Sequence, residues 1–478
     1  MSAKIYIDGA WREPASGKTI PVHCPSDGKV FAEIARGTAP DIDAAVAAAR
    51  RAFEGVWGRT PAFERGRLLS RLGLKVQEHA EELAQIEARD NGKPLKQARA
   101  DMVALARYFE YYGGAADKLH GEVIPFLDGY TVMVTRNARG VTGHIIPWNY
   151  PAQMFGRTLA PALACGNATV LKPAEDACLS SLKVVELAHE VGFPPGVINL
   201  VTGYGEEAGA ALAEHPDLDL ISFTGSPEVG VLIQKASAER HRPCVLELGG
   251  KSPQLVFEDA DLAAAVPVVV NAIIQNAGQT CTAGSRVLVQ RSVYDEFVGL
   301  LAERFGALKV GTAEMDLDCG PLISRNQCER VRGFIEQARQ DGIPVVARAR
   351  LADGLPAEGY YEAPTLFGPV PVANRLAYEE VFGPVLAAIP FEDEAEAIRI
   401  ANGTEYGLAA GIWTRDGARQ LRVAHAMRCG QVFVNGYGAG GGIELPFGGV
   451  KKSGHGREKG FEALREFCTV KSIILRHG

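Results

Sequence analysis

Apolar residues recur at helical spacing through the first quarter of the chain. Between 39 and 55, the positions Ile42, Ala45, Val46, Ala49 and Phe53 fall on one helical face. Over 61–90, Leu68, Leu69, Leu72 and Val76 continue the period, and Asn91-Gly92-Lys93-Pro94 stops it. Residues 39–116 are therefore expected to be mostly helix. From about 140 the pattern changes. Short β-rich runs at Val141–Ile146, Ala168–Leu171, Val197–Val201, Leu218–Phe223 and Val245–Leu248 alternate with amphipathic stretches near 155–165, 178–191, 206–214 and 227–238. Such alternation predicts an α/β fold with a parallel sheet covered by helices. A second alternating region runs from about 253 to 445 and includes the apolar run Leu262–Ile274 and the strand-like Arg286–Val289 and Gln431–Val434. Two segments stand apart. Residues 120–138 look like an extended ribbon turning at Asp128-Gly129, and Thr469–Leu475 is a β-branched strand that needs a partner.

At 478 residues the chain predicts roughly two to four domains, and 47% hydrophobic with 22% charged residues is ordinary for a globular protein. The net charge of -7 lacks the basic excess of a general nucleic-acid binder. No stretch of ~18 apolar residues predicts a membrane span. The segment Met1 to Pro14 has no apolar core of a signal peptide. Nine scattered cysteines without a C-x-x-C pair predict neither a disulfide framework nor a metal site. A reducing, cytoplasmic setting is expected.

Several segments carry candidate chemistry, although each has an ordinary structural reading on its own. Asn276-Ala277-Gly278-Gln279-Thr280-Cys281 places a thiol among small residues beyond an apolar helix, where a substrate can reach it. The other eight cysteines fit small buried hydrophobes. Glu247-Leu248-Gly249-Gly250-Lys251 puts a carboxylate at a strand end, and its two glycines let a ligand or another backbone come close. Pro147-Trp148-Asn149-Tyr150-Pro151 is a second strand end, with an amide able to donate to a developing oxyanion. Gly203-Tyr204-Gly205-Glu206-Glu207-Ala208-Gly209 misses the G-x-G-x-x-G spacing by one residue and carries two acids where a pyrophosphate would sit. Gly225-Ser226-Pro227-Glu228-Val229-Gly230 suits a phosphate at a helix start better. In Lys172-Pro173-Ala174-Glu175 a lysine and a glutamate can reach ribose hydroxyls.

Taken in order, P-W-N-Y-P, K-P-A-E, F-T-G-S-x-x-x-G, E-L-G-G-K, G-Q-x-C, E-E-V-F-G-P-V and P-F-G-G-x-K-x-S-G form a specific set. The set resembles the NAD(P)-dependent, hydrolytic aldehyde dehydrogenase superfamily over nearly the whole chain. The resemblance implies two Rossmann-like parallel-sheet α/β domains and a small β ribbon for oligomerisation. Residues 1–119 and 139–246 would bind the cofactor, 247–445 would be catalytic, and 120–138 with 446–478 would form the ribbon and C-terminal segment. It implies Cys281 as nucleophile, Glu247 as general base and Asn149 with the Cys281 amide as oxyanion hole. Lys172 and Glu175 would meet the adenosine ribose, Gly225 and Ser226 the pyrophosphate, and Glu380 and Phe382 the nicotinamide ribose and ring. Ile146, Trp148, Gly205, Gly230 and Leu248 join the same cofactor set. The cofactor implied is NAD, with NADP as the alternative, because the Glu175 carboxylate accepts from a ribose 2′-OH and repels a 2′-phosphate. No metal is implied.

The implied reaction takes a small-molecule aldehyde to its acid through a cysteine thiohemiacetal and a thioester. Glu247 points to hydrolysis in place of acyl transfer to coenzyme A. Glu458 resembles a position proposed to relay protons from the base, whereas Thr158 stands where relatives often carry lysine. For the substrate, Arg157 matches an arginine that pairs with a distal carboxylate in semialdehyde-oxidising branches. Its ordinary reading is a local ion pair, with Glu444 as candidate. The side-chain-poor loop Gly436–Gly442 leaves room for a bulky or aromatic aldehyde between Tyr150 and Tyr437. Betaine aldehyde and aminoaldehydes are the alternative substrates. A non-catalytic homologue should have lost Cys281, Glu247 or Asn149, and an esterase-only thiol enzyme would not need the cofactor residues. The expected assembly is a homodimer or homotetramer, with no membrane or nucleic-acid partner.

Overall fold

The computed structural model describes residues 3–438 and 442–478. The first sheet is eight-stranded. Its parallel centre runs Ile198–Leu200, Ala168–Pro173, Val141–Ile146, Leu220–Thr224 and Cys244–Glu247. Nearly every residue of these strands is buried, as expected for parallel strands covered on both faces. Ile5–Ile7 followed by Ala10–Arg12 completes one side and Gly454–His455 the other, each antiparallel to its neighbour. The second sheet is seven-stranded and runs Val345–Arg348, Thr365–Phe367, Val385–Phe391, Arg286–Gln290, Pro253–Val256, Ala409–Trp413 and Gln431–Val434. All its pairings are parallel except that of Val345–Arg348. The mixed α/β class read from the sequence therefore holds, and each sheet packs its own apolar core.

The helical period of 39–116 is carried by Ala39–Ala52, Ala62–Glu78, Ala80–Asn91 and Leu95–Ala115. The third ends where Gly92 turns left-handed at φ +86°, the conformation a glycine cap supplies. Three boundaries differ from the periodicity. The first helix runs on through a wide π turn at Phe53–Trp57 around Gly55. The 61–90 helix is two helices that change direction at His79. The expected 206–214 helix opens with a wide turn at Gly205–Gly209.

A separate three-stranded sheet joins Glu122–Ile124, Tyr130–Ala138 and Cys468–Arg476. The C-terminal strand finds its partner within its own chain, paired antiparallel from Cys468 opposite Ala138 to Arg476 opposite Tyr130. The segment 446–478 does not stay with this ribbon as a unit. Gly454–His455 extends the first sheet, and Ala463 and Leu464 of the helix Gly460–Glu466 enter the first core. Of that segment only Cys468–Arg476 pairs with Tyr130–Ala138.

Candidate active site

Three adjacent parallel strands end on one edge of the first sheet. Val141–Ile146 leads into Pro147-Trp148-Asn149, Leu220–Thr224 into Gly225-Ser226, and Cys244–Glu247 ends on Glu247. The crevice beyond the carboxyl ends of such strands is where open α/β sheets place ligands. A cavity of about 360 Å³ lies there, lined by Trp148, Asn149, Gly225, Ser226, Glu247, Cys281, Glu380 and Phe382 together with other residues.

Cys281 enters this cavity from the second sheet's side. The helix Leu262–Ile274, capped by the Asp261 side chain on the Ala264 amide, delivers the chain to a turn of three left-handed residues. Asn276 has φ 46°, Ala277 φ 54° and Gly278 φ 72°. Left-handed non-glycine residues cost of order 1–3 kcal/mol each and persist only where their surroundings over-determine them. Here the Asn276 amide N–H donates to Gln97 Oε1 at 2.8 Å, and its side chain donates to the Asn149 carbonyl at 2.8 Å. Gln279 donates back to the Asn276 carbonyl at 3.0 Å and accepts from the Ile323 amide at 2.9 Å. A Cβ at Gly250 would lie 2.4 Å from the Cys281 carbonyl oxygen, and one at Gly249 would lie 2.3 Å from Glu380 Oε2. The paired glycines after Glu247 therefore admit the nucleophile's backbone and the Glu380 carboxyl group.

Asn149 is buried. Its Nδ2 donates to the Gln279 carbonyl at 3.0 Å, which leaves the second amide hydrogen to serve another acceptor. Its own carbonyl accepts from Lys93 Nζ at 3.0 Å. Lys93 is itself fully buried between Glu87 and Asp101. Glu247 is 1% exposed, and neither carboxyl oxygen has a hydrogen-bond partner among the described residues. Burial pushes its pKa up to about 7, against the pull of the Arg157 guanidinium. Burial and the Glu247 charge push the half-buried Cys281 thiol well above its ordinary range. Of the other cysteines, six are buried, and Cys165 and Cys429 are half-buried.

The remaining candidates fall into three groups. Gly225 and Ser226 stand at the start of the helix Pro227–Glu239, where Ser226 Oγ accepts from the Val229 amide. Near them Phe382, left-handed at φ 56°, meets Trp148 edge-on at 5.4 Å. Burial pushes the Glu380 carboxyl up to about 7, and its Oε1 accepts from the Gly250 amide at 2.8 Å. Gly230 and Leu248 line an adjoining groove that shares Glu380 with the cavity. Lys172 and Glu175 form a third group, paired at 2.6 Å, with Glu175 Oε1 accepting from the Gly205 amide at 3.4 Å. Glu207, one of the two acids of the glycine-rich loop, is taken by Arg36. Ile146 is buried at its strand end.

A family model described as the aldehyde dehydrogenase family matches residues 11–473. The chain belongs to that family. It is 43% identical over 475 residues to the mitochondrial benzaldehyde dehydrogenase of Antirrhinum majus, covering 98% of this chain and 88% of that protein. It is 42% identical to human retinal dehydrogenase 2, covering 99% and 92%. Among solved structures, an aldehyde dehydrogenase from Burkholderia cenocepacia is 63% identical, with a TM-score of 0.99 and full coverage of both chains. The NAD+ complex of a Bacillus cereus aldehyde dehydrogenase is 41% identical, with a TM-score of 0.97 over 100% of this chain and 97% of that one.

On this aldehyde dehydrogenase scaffold, the three residues expected to face substrate do not line the 360 Å³ cavity. Tyr150 is buried, with the Lys93 ammonium 4.3 Å from its ring centre. The Tyr437 hydroxyl donates to the Thr282 carbonyl at 2.8 Å. Residues 439–441 of the glycine-rich loop 436–442 lie outside the described residues. Arg157 is buried and pairs with Glu458, whereas Glu444, its expected local partner, pairs with Arg107. Thr158 donates to Ser222 Oγ at 3.0 Å and contacts His144, which burial keeps neutral with a pKa near 3. Met154, Gln327, Arg330 and Tyr406 also line the cavity without any sequence signal of their own. Gln327 Nε2 donates to the Phe382 carbonyl at 2.7 Å and Arg330 to that of Glu380 at 2.8 Å, so the helix Arg325–Gln340 holds the Glu380–Phe382 turn.

Proposed function

We propose that this chain oxidises a neutral, bulky or aromatic aldehyde to its carboxylic acid with NAD, through covalent catalysis at Cys281. The observation that carries the reading is the convergence of Cys281, Glu247 and Asn149 on one cavity bordered by a helix start. A dinucleotide fits these residues. The amide-rich turn at Gly225-Ser226 suits its pyrophosphate, where a Cβ on Gly225 would strike the Phe223 ring at 2.5 Å. Glu380 and Phe382 would meet the nicotinamide half, with Trp148, Gly230 and Leu248 packing around it. Ile146, Lys172, Glu175 and Gly205 would meet the adenosine half. When bound, the dinucleotide supplies the hydride acceptor.

The chain's own groups do the rest. Cys281 reacts as its thiolate, the nucleophilic form, after its proton has left to solvent. The thiolate adds to the aldehyde carbon, and the spare Asn149 amide hydrogen with the Cys281 main-chain N–H holds the oxyanion. Once the acyl group is a thioester on Cys281, Glu247 takes a proton from water and hydrolysis releases the acid.

Two lines support a neutral substrate. The cation nearest the catalytic pair, Arg157, is already engaged by carboxylates of its own chain. The named relatives include a benzaldehyde and a retinal dehydrogenase. A betaine aldehyde dehydrogenase of Staphylococcus aureus at 38% identity keeps a cationic aldehyde on the panel as the alternative. The exposed ribbon supports a homodimer or homotetramer, and nine free thiols support a reducing compartment such as the cytoplasm. No helix among the described residues is long and apolar enough to cross a membrane.

The test is NADH formation over a panel of neutral, carboxylated and cationic aldehydes. Cys281→Ala is expected to lose turnover while still binding NAD. Glu247→Gln is expected to give a burst of NADH without sustained turnover. A Cys281→Ala variant that turns over aldehydes normally overturns the mechanism, and ester hydrolysis without NADH points to a thiol esterase.

A further inference from the structure

Arg157 lies on the helix Pro151–Cys165 and is 6% exposed. Its Nε meets the Glu458 carboxylate, and its Nη2 stands 3.9 Å from Glu247 Oε2. The Phe447 ring lies 4.2 Å from the guanidinium carbon. Phe447 and Glu458 are joined to each other by two backbone hydrogen bonds of 2.6 Å. One short bridge therefore presents both an anion and an aromatic face to the same arginine. Glu458, Phe447 and Glu247 are all buried.

This enclosure decides between two uses of a buried cation. A guanidinium that binds a ligand carboxylate needs its planar fork open toward the ligand. Here the Nε edge of the fork meets Glu458, one face is covered by Phe447, and Nη2, without a hydrogen-bond partner among the described residues, stands 3.9 Å from Glu247 Oε2. A substrate carboxylate would add a third anion beside two that already share one arginine, and like charges at such range oppose ionisation.

We propose that Arg157, clamped by Glu458 and Phe447, is a positioning residue that fixes Glu247 and sets its charge, and that it does not anchor the substrate. The proposal rests on Glu247 acting as the base. The charged and titratable groups that face Glu247 are Arg157, Glu458, Cys281, Glu380 and Lys459, and those that face Arg157 further include Tyr108. Arg157 favours the Glu247 carboxylate and Glu458 opposes it. Removing each should therefore move the base in opposite directions.

The test is the pH profile of kcat with a neutral aldehyde at saturating NAD, together with KM for neutral and carboxylated aldehydes. Arg157→Gln should keep the NADH burst, lower kcat by about tenfold or more and move the acid limb up by about one pH unit. Glu458→Gln should move that limb down, and Arg157→Lys should restore much of kcat and the limb's position. KM should change alike for both substrate classes. A limb that stays put, or moves the same way in both variants, overturns the proposal. So does a KM that rises about tenfold for carboxylated aldehydes alone, which is the signature of a substrate anchor. If Arg157→Gln does not fold, Arg157→Lys and Glu458→Gln still decide between these outcomes. Glu247→Gln separates the two levels: sustained turnover in that variant overturns the base itself. Its loss, with the Arg157 limb unmoved, overturns only the clamp.

Discussion

The residue with the most charge at stake away from Cys281 is Lys93. Its ammonium is fully buried, touches Glu87 and Asp101, and donates to the Asn149 carbonyl. Glu87 also accepts from the Ala152 amide and the Ser180 hydroxyl, and Asp101 from Gln153. Removing the lysine leaves two buried carboxyl groups without their cation, a change that costs about 3–5 kcal/mol. Lys93→Met is therefore expected to lower the unfolding midpoint in thermal denaturation. It should also lower kcat, because the Asn149 backbone loses one of its two donors. Unchanged kcat in a folded Lys93→Met would separate the cluster from the site. The sequence signals Lys93 only as part of a helix stop, since its partners lie 6, 8 and 56 residues away. Cys281, Glu247 and Asn149 were legible because each sits in a short motif at a strand or helix end. Arg157 was legible as a cation but not as to its partner, because spacing along the chain cannot choose between Glu444 and Glu458. Glu175 can be argued from either level. Its carboxylate is expected to favour NAD over NADP, and Glu175→Gln should narrow the ratio of kcat/KM between the two cofactors.

Among the elements, the turn that carries the nucleophile depends on close backbone approach more than on side chains. Gly250 has an ordinary φ, so alanine there adds no left-handed strain, and its Cβ would meet the Cys281 carbonyl at 2.4 Å. The expected result of Gly250→Ala is a displaced Cys281. Misplacement on the ångström scale can cost about 10²-fold in rate. Steady-state kcat should fall on that order, while circular dichroism stays unchanged. Normal kcat would mean that the Cys281 backbone can give way there. The strands and most helices of both sheets were legible, because buried parallel strands read as short apolar runs between amphipathic stretches. The break at His79 was not, since both helices keep their apolar face on the same core and the period runs through. Nor was the wide turn at Gly205–Gly209, where the glycines imitate a phosphate loop while Glu207 pairs with Arg36.

At the scale of the whole molecule, the two sheets account for every strand around the cavity, and the ribbon lies outside both. Its strands Glu122–Ile124 and Cys468–Arg476 are the two edges of a three-stranded sheet, and such edges carry unpaired backbone groups that soluble chains cover. Apolar side chains are exposed on both: Val123 is 71% exposed, Val470 63% and Ile474 58%, with Phe126 and Leu127 of the connecting turn at 61% and 63%. By the strand register Ile124, Val470 and Ile474 share one face of the sheet and Val123 lies on the other, and exposed apolar side chains gathered on such a ribbon mark a protein contact. A second copy of the chain offers the same ribbon, which fits a closed symmetric assembly. Nothing about the cavity requires the ribbon, so its loss should separate assembly from chemistry. Ile474→Asp together with Val470→Lys is expected to shift the light-scattering mass of the purified protein to a smaller species, while its circular dichroism and NADH burst persist. The charges would face water in a free ribbon but would be buried unpaired in an assembled one, a penalty large enough to split the contact. If the unaltered chain already scatters as a monomer, or the doubly charged variant keeps its assembled mass, the ribbon has another occupant or none.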